Sequence, residues 1–168
     1  MKAVRPNLAL LWPSFTFFPL AGLVILVFGA NARDSTMVII GLLLLAANAA
    51  IVVNYAYFTR LAVEDGELVY RTNFGTRVDR VPLGGLQRID AKRYPGAHSG
   101  VSAPFFVARG RDSTVKVNTK PFRLRDFTPF IALVRSANSR VELDAFWARV
   151  AAGEDPSKEI ELTPRSRI

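Results

Sequence analysis

The sequence predicts a helical hairpin that spans a membrane, followed by a meander of five to seven short antiparallel strands and a helical end. Three observations lead there. From Pro6 to Ala32 run 27 residues without a charge, and from Ser35 to Thr59 another 25, with only Arg33 and Asp34 between them. After Arg60 the apolar residues stop being continuous and alternate in steps of two. Near Thr128 the apolar spacing becomes helical again.

A helix needs about 20 apolar residues to cross the hydrocarbon core of a bilayer, so each uncharged run is long enough. The spans are expected at about residues 8–32 and 35–58 of a membrane segment covering 1–59, with the turn at Asn31–Ser35. A soluble core is a poor fit, because soluble helices rarely stay uncharged on all faces for seven turns. Lys2, Arg5 and the small residues at Ala30–Ala32 suggest a cleaved signal, but the apolar stretch exceeds the 7–15 residues of a signal core.

Composition narrows the chemistry. The 168 residues hold no cysteine and one histidine, His98, which leaves no disulfides, no thiolate metal site and no histidine cluster. No metal or cofactor is expected. Net charge is +8, and residues 60–168 carry 19 basic against 13 acidic side chains. Such an excess suits nucleic acid or an anionic membrane surface. A domain that starts one residue beyond a span sits among lipid head groups, so the bilayer is the expected partner and nucleic acid is not. Lys2, Arg5 and Arg60 flank the spans on one side and Arg33 stands alone on the other, which places both termini in the cytoplasm. Trp12, Phe15, Phe17 and Phe18, with Tyr55, Tyr57 and Phe58, are candidate interfacial anchors. Asn48 and Asn54 are the polar residues of the second run; Asn48 reads as a partner contact or as an interhelical hydrogen bond. No ionisable residue lies inside either run, which disfavours transport.

The β segment can be read in order. Leu61 and Val63 share a face, Asp65-Gly66 turns the chain, and Leu68, Tyr70 and Thr72 alternate with Val69 and Arg71. Asn73–Gly75 makes a second turn, Val78 and Val81 follow, and Gly84-Gly85 forms a corner before Leu86, Ile89 and Ala91. Residues 94–104 read as a loop. Strands resume at 105–110 and 113–119, with Arg111-Asp112 between them. Thr128 is expected to cap a helix with Pro129 at its first position and Phe130, Ile131, Leu133 and Val134 as its stripe. "SRVEL" reads as a short extended piece. Asp144 is expected to cap a second short helix with Phe146, Trp147 and Val150, stopped by Gly153. Residues 153–168 read as a disordered tail.

Two spans, then "DGELVYRTNFGTRVDRVPLGGLQRID", then "FRLRDFTPFIALVRSANSRVEL" resemble the bacterial membrane proteins that carry a PH-like domain, over about residues 5–145. The resemblance implies a PH-like domain at 60–152: two small antiparallel sheets bent against each other and a closing C-terminal helix. It implies a multi-pass protein of the bacterial inner membrane. It also implies a binding or scaffolding module without catalytic activity, with a protein partner or a second copy of itself as company.

The first β turn, Glu64-Asp65-Gly66-Glu67, is acidic where phosphoinositide-binding PH domains carry basic residues. The cations come later. Arg71, Arg77, Arg80, Arg88, Lys92 and Arg93 form a candidate lipid- or anion-attracting surface, with a second group at Lys116, Lys120, Arg123 and Arg125. The alternative is a solvated sheet face whose charges prevent edge pairing. His98 has no nucleophile and orienting group at credible spacing, Asp79 and Asp90 have no defined separation, and "RGRDS" at 109–113 is only a fragment of a nucleic-acid-binding pattern. No phosphate-binding or dinucleotide loop is present. An enzyme is therefore not expected.

Overall fold

The computed structural model describes residues 3–92 and 104–156, and for residues 12–14 the backbone alone. Among the described residues the chain is α+β, with two small sheets and four α-helices. Arg93, His98 and residues 157–168 lie outside the described residues.

Helices α1 (Trp12–Asn31) and α2 (Ser35–Val53) form an antiparallel hairpin. The charged pair at its tip divides two tasks. Arg33 takes the left-handed conformation that turns the chain, with φ of 53°. Asp34 caps α2, its carboxylate accepting from the amides of Thr36 at 2.9 Å and Met37 at 3.2 Å. The helices meet along a seven-residue rhythm: Gly22 and Gly29 are buried on one, Gly41 and Asn48 on the other. A β-carbon on Gly41 would fall 2.8 Å from the backbone nitrogen of Leu26, and one on Gly29 would fall 2.7 Å from the β-carbon of Met37. Glycine is what lets the two backbones approach this closely. Asn48 is buried, but its amide meets no hydrogen-bond partner among the described residues, so the expected interhelical bond is absent there.

The outward surface of the hairpin is largely apolar. Phe17, Phe18, Leu20, Phe28, Ile39, Leu42 and Leu43 are each more than half exposed. Continuous with α2, residues 54–58 form a π-helical turn, and Ser35–Phe58 together make a predominantly apolar helical stretch of 24 residues. At about 1.5 Å per residue this reaches about 36 Å, enough to cross a bilayer by length and composition. It is the one helix among the described residues that meets both criteria; the described side chains of α1 cover Phe15–Asn31.

The first sheet has the order β1 (Ala3–Val4), β2 (Arg60–Glu64), β3 (Glu67–Thr72), β4 (Arg77–Pro82), all antiparallel. Strand β1 was not foreseen. It precedes the hairpin and pairs with the strand that follows it, Val4 opposite Leu61. The β2–β3 turn has φ of 50° at Asp65 and 77° at Gly66, as the Asp-Gly pair predicts. The second sheet has the order β7 (Thr114–Val117), β6 (Phe105–Gly110), β5 (Leu86–Lys92), β8 (Glu142–Leu143). Strand β8 runs parallel to β5, so this sheet is mixed, not purely antiparallel.

Helices α3 (Phe127–Ala137) and α4 (Ala145–Ala151), both expected from the sequence, close the core together; the PH-like resemblance implied one closing helix. Phe106 sits at its centre, with ring centroids 5.0 Å from Trp147 and 5.5 Å from Phe127. Thr128 does not cap α3. The helix starts at Phe127, two residues before the expected Pro129, out of a 3-10 turn, and the Thr128 hydroxyl donates instead to the Val150 carbonyl at the end of α4. Asp144 does cap α4, accepting from the Trp147 amide, and its other oxygen accepts from the Ala91 amide of β5. Gly153, at φ of 88°, ends the helix. Beyond it Glu154 and Asp155 are exposed and Pro156 is buried.

Asp144 thus holds a helix start and a strand at once. Asp144→Ala removes both bonds and leaves a part-buried amide unpaired, at a cost of about 2 kcal/mol. The expected outcome is a drop of roughly 10 °C in the Tm of the β domain, followed by circular dichroism in detergent; an unchanged Tm would refute this role.

Candidate functional site

The strand directions give the β domain two ends. β2 leaves the hairpin at Arg60, β3 returns at Thr72, and the β3–β4 turn lies against the hairpin, with the Phe74 ring 5.6 Å from that of Phe58. The chain before α1 is tied to the same end, the Asn7 amide donating to the Pro121 carbonyl at 2.6 Å. The β2–β3 turn lies at the opposite end, where the Leu83 amide donates to the Gly66 carbonyl. Hairpin-proximal and hairpin-distal ends are therefore distinct.

A polar joint fastens the proximal end. In the π-helical turn the Thr59 amide donates to the Asn54 carbonyl five residues back, at 2.9 Å. The Asn54 side-chain oxygen accepts from the Phe74 amide at 2.7 Å. Thr59 is buried, and its hydroxyl donates to the Asn54 carbonyl and lies 3.4 Å from the Thr72 hydroxyl. Asn73 and Phe74 both take positive φ, 51° and 55°, which turns the Phe74 amide toward the helix. Tyr70 lies just beyond, in the core, and burial pushes its phenol above the ordinary value.

Around this joint the proximal end carries a collar of cations and aromatic rings. Arg5, Arg60, Arg77, Lys120 and Arg123 all lie within a few residues of the anchoring contacts, and Tyr57, Phe58 and Phe74 are exposed beside them. Arg60 is held by Glu64 at 3.2 Å and Arg77 by Asp79 at 3.2 Å. Arg5 and Arg123 have no carboxylate within ion-pair distance among the described residues.

The sequence-predicted cations do not form one face. Arg71 and Arg80 lie on the outer face of the first sheet, where Arg71 pairs with Glu64 at 2.7 Å and Arg80 with Glu67 at 3.4 Å. Their stems cover Ala62 and Val69, both buried on that face. Arg77 points to the other side of the same sheet, in register with Thr72. Arg88 and Lys92 belong to β5 on the second sheet, with Arg88 held to Asp90 at 2.5 Å. Asp90 also holds Arg109 at 2.9 Å. Of the second group, Lys116 stands 4.2 Å over the Phe105 ring, Arg125 lies beside Asp126, and Lys120 and Arg123 belong to the collar. Sequence reasoning missed Phe74, hidden inside a turn, and Arg109. The signal for Phe74 was available: a large aromatic residue in an exposed turn is unusual unless something receives it.

At the distal end an open groove of about 800 Å3 is lined by Gly84 and Gly85, by Arg88, Arg111 and Arg140, and by the carboxylates of Asp112 and Glu142, among others. Among the described residues no group of three or more His, Asp or Glu could hold a metal ion.

Compared with protein-family models, with curated proteins and with solved structures, the chain matches none.

Two outcomes follow. The Arg71 guanidinium, then the charges of Arg60 and Arg80, hold the Glu64 carboxyl below its ordinary value of 4.5 despite partial burial. A depressed folded pKa contributes stability above 4.5, lost as the pH falls through the folded value. Glu64→Gln should therefore lower Tm at neutral pH, while wild type and variant converge in acid; a constant gap would exclude the ion pair as its source. Asn54→Ala should speed hydrogen exchange at the Phe74 amide at least about tenfold. Exchange unchanged at Phe74 would mean the joint does not depend on Asn54.

Proposed function

We propose that the chain is a non-enzymatic, membrane-anchored interaction module that presents a PH-like β domain at the cytoplasmic surface of a bacterial inner membrane. One observation carries this reading: the hairpin, largely apolar on its outward surface, is fastened to the β domain on both sides. Before α1 the ties are the β1–β2 pairing and the Asn7–Pro121 bond. After α2 they are the Asn54–Phe74 bond and the Phe58–Phe74 contact. A domain held this way cannot leave the surface in which its hairpin is buried.

The exposed hairpin surface supports insertion, because soluble monomers rarely carry continuous apolar patches above a few hundred Å2. The ties bring both ends of the hairpin to one side, and Arg5 and Arg60 at that side against Arg33 at the tip favour a cytoplasmic domain. The PH-like resemblance is supported by two small sheets whose strands β4 and β7 pack together, closed by α3 and α4. The groove is open rather than enclosed, which suits contact better than chemistry.

A second reading, recognition of anionic lipid head groups, is favoured by the collar. Cations there lie where head groups would be, each worth about 1 kcal/mol against an anionic leaflet. The exposed Tyr57, Phe58 and Phe74 are the residue types that settle at such interfaces.

Alkaline carbonate should leave the full-length chain in the membrane pellet, and a fluorescent reporter that folds only in the cytoplasm should shine when fused after Ile168. Release into the supernatant would sink the anchor, and a dark reporter with a normally inserted chain would reverse the orientation. In nanodiscs containing phosphatidylglycerol, hydrogen exchange across residues 72–77 and 119–124 should be slower than in phosphatidylcholine alone. Identical exchange in the two lipids would remove the head-group reading and leave the scaffold reading standing.

A further inference from the structure

Among the described residues from 60 onward, Phe74 is the one large apolar side chain that is exposed, at 49%. It stands at the tip of the β3–β4 turn, and that turn differs from the other described hairpin turns of the β domain. The β2–β3 turn carries Asp65 and the β6–β7 turn carries Arg111 and Asp112, whereas Thr72, Asn73, Phe74, Gly75 and Thr76 hold no charge. The arginines on either side are already held, Arg71 by Glu64 at 2.7 Å and Arg77 by Asp79 at 3.2 Å. What the turn offers is therefore a ring and not a charge.

Its backbone is suited to a medium poor in water. The Phe74 amide donates to the Asn54 side-chain oxygen at 2.7 Å, the Gly75 amide to the Thr72 carbonyl at 3.0 Å and the Thr76 amide to the Asn73 carbonyl at 3.0 Å. The Thr76 hydroxyl donates to that same carbonyl at 2.6 Å. A turn in water can leave its amides to the solvent; in a layer of low polarity each unpaired amide is costly. The conformation that makes these bonds puts Asn73 and Phe74 at φ of 51° and 55°, which asparagine tolerates better than phenylalanine. A phenylalanine kept there and half-exposed serves neither the turn nor the core, which points to something outside the chain that receives it.

The hairpin sets the depth of this ring. Ser35–Phe58 is a helical stretch of 24 residues, about 36 Å, against a hydrocarbon core of about 30 Å and an interfacial layer of roughly 5–7 Å on each side. On the membrane-anchored reading, on which this inference rests, the Phe58 end therefore lies at or within that layer, whether or not the excess length is shared between the two ends. The Phe74 ring stands 5.6 Å from the Phe58 ring, and the Phe74 amide is bonded to Asn54 of the same helical turn, so the ring stays near that level. Tyr57, 78% exposed, belongs to that turn too. Aromatic side chains favour the interfacial layer for their shape and mixed polarity, not for a head-group charge. We propose that the β3–β4 turn is a second membrane contact, in which Phe74 enters the interfacial layer beside Tyr57 and Phe58. The contact forms in zwitterionic and anionic bilayers alike, and it holds the proximal end of the β domain against the lipid.

The sequence has no cysteine, so a single introduced thiol takes a label uniquely. The full chain carries the dye nitrobenzoxadiazole at the turn (Phe74→Cys), at the exposed middle of α2 (Leu43→Cys) or at the distal groove (Gly84→Cys), where a β-carbon meets nothing within 4 Å. Each labelled chain is placed in nanodiscs whose phosphatidylcholine bears a nitroxide either near the glycerol end of its acyl chain or at the far end. The turn label should lose about half of its emission or more to the shallow nitroxide, equally with and without added phosphatidylglycerol. The α2 label should be quenched by the deep nitroxide and the groove label by neither. A turn label left unquenched while the α2 label is quenched would overturn the inference and leave the anchor standing. Quenching of the turn label only with phosphatidylglycerol would overturn it in favour of a charge-driven contact. An unquenched α2 label would remove the anchored reading, and this inference with it. Where Phe74→Cys does not fold, Phe74→Trp combined with Trp12→Phe keeps a ring at the turn. The remaining Trp147 is fully buried, so quenching by a shallow brominated lipid then reads the turn, and the same outcomes decide.

Discussion

The amide of Phe74 points at the side chain of Asn54, and the relation between hairpin and β domain follows from that bond. The covalent link alone would be one extended residue, Thr59, around which a domain could swivel freely. The Asn54–Phe74 bond, the burial of Thr59 and the Phe58–Phe74 contact remove that freedom on one side. Strand β1 and the Asn7–Pro121 bond remove it on the other. None of these contacts is strong by itself, each hydrogen bond being worth about 1 kcal/mol net. Their effect is geometric. Attachments on opposite sides of the hairpin base restrict rotations that a single attachment would leave free.

The π-helical turn is what makes the first attachment possible. Its Thr59-to-Asn54 bond spans five residues instead of four, so the last turn of the second helix is wider than those before it. The widened turn brings Asn54 round to the β3–β4 turn and delivers the chain into β2 at Arg60. The receiving turn is strained in a matching way, with three successive residues, Asn73, Phe74 and Gly75, at positive φ. Glycine and asparagine tolerate that conformation; phenylalanine does so at a cost. A costly conformation persists where its surroundings hold it, and here the Asn54 carbonyl and the Phe58 ring do.

Much of the fold was legible because it rests on short-range chemistry. The Asp65-Gly66 turn, the Asn73–Gly75 turn and the Asp144 cap each follow from what one or two residues can do locally. The hairpin tip followed from Arg33 and Asp34 as the only charges in a long apolar run. What could not be read depends on distant partners. Two residues, Ala3 and Val4, show no alternation, and only the returning β2 makes them a strand. Strand β8 is parallel to β5 because α3 carries the chain back across the core, which no local pattern announces. Thr128 has the chemistry of a cap and uses its hydroxyl on α4. The site was legible as residue types and not as an arrangement. Arg71, Arg77, Arg80 and Arg88 were visible as cations, but strand register decides which sheet and face each occupies and which carboxylate holds it.

That distribution changes what the positive charge can mean. A single basic face would offer one surface to one kind of anion. Here the register ties most sheet arginines to neighbouring carboxylates, so the middle of the domain is largely self-neutralised. Of the cations without such partners among the described residues, Arg33 lies at the hairpin tip and Arg135 on α3, and others lie toward the two ends of the domain. Arg5 and Arg123 lie at the hairpin, and Arg111 and Arg140 lie a strand length away. On the membrane-anchored reading proposed above, the hairpin-proximal cations are the ones that meet head groups. On that reading the joint at Asn54 and Phe74 serves recognition as well as folding, because a swivelling domain would present both ends to the bilayer in turn.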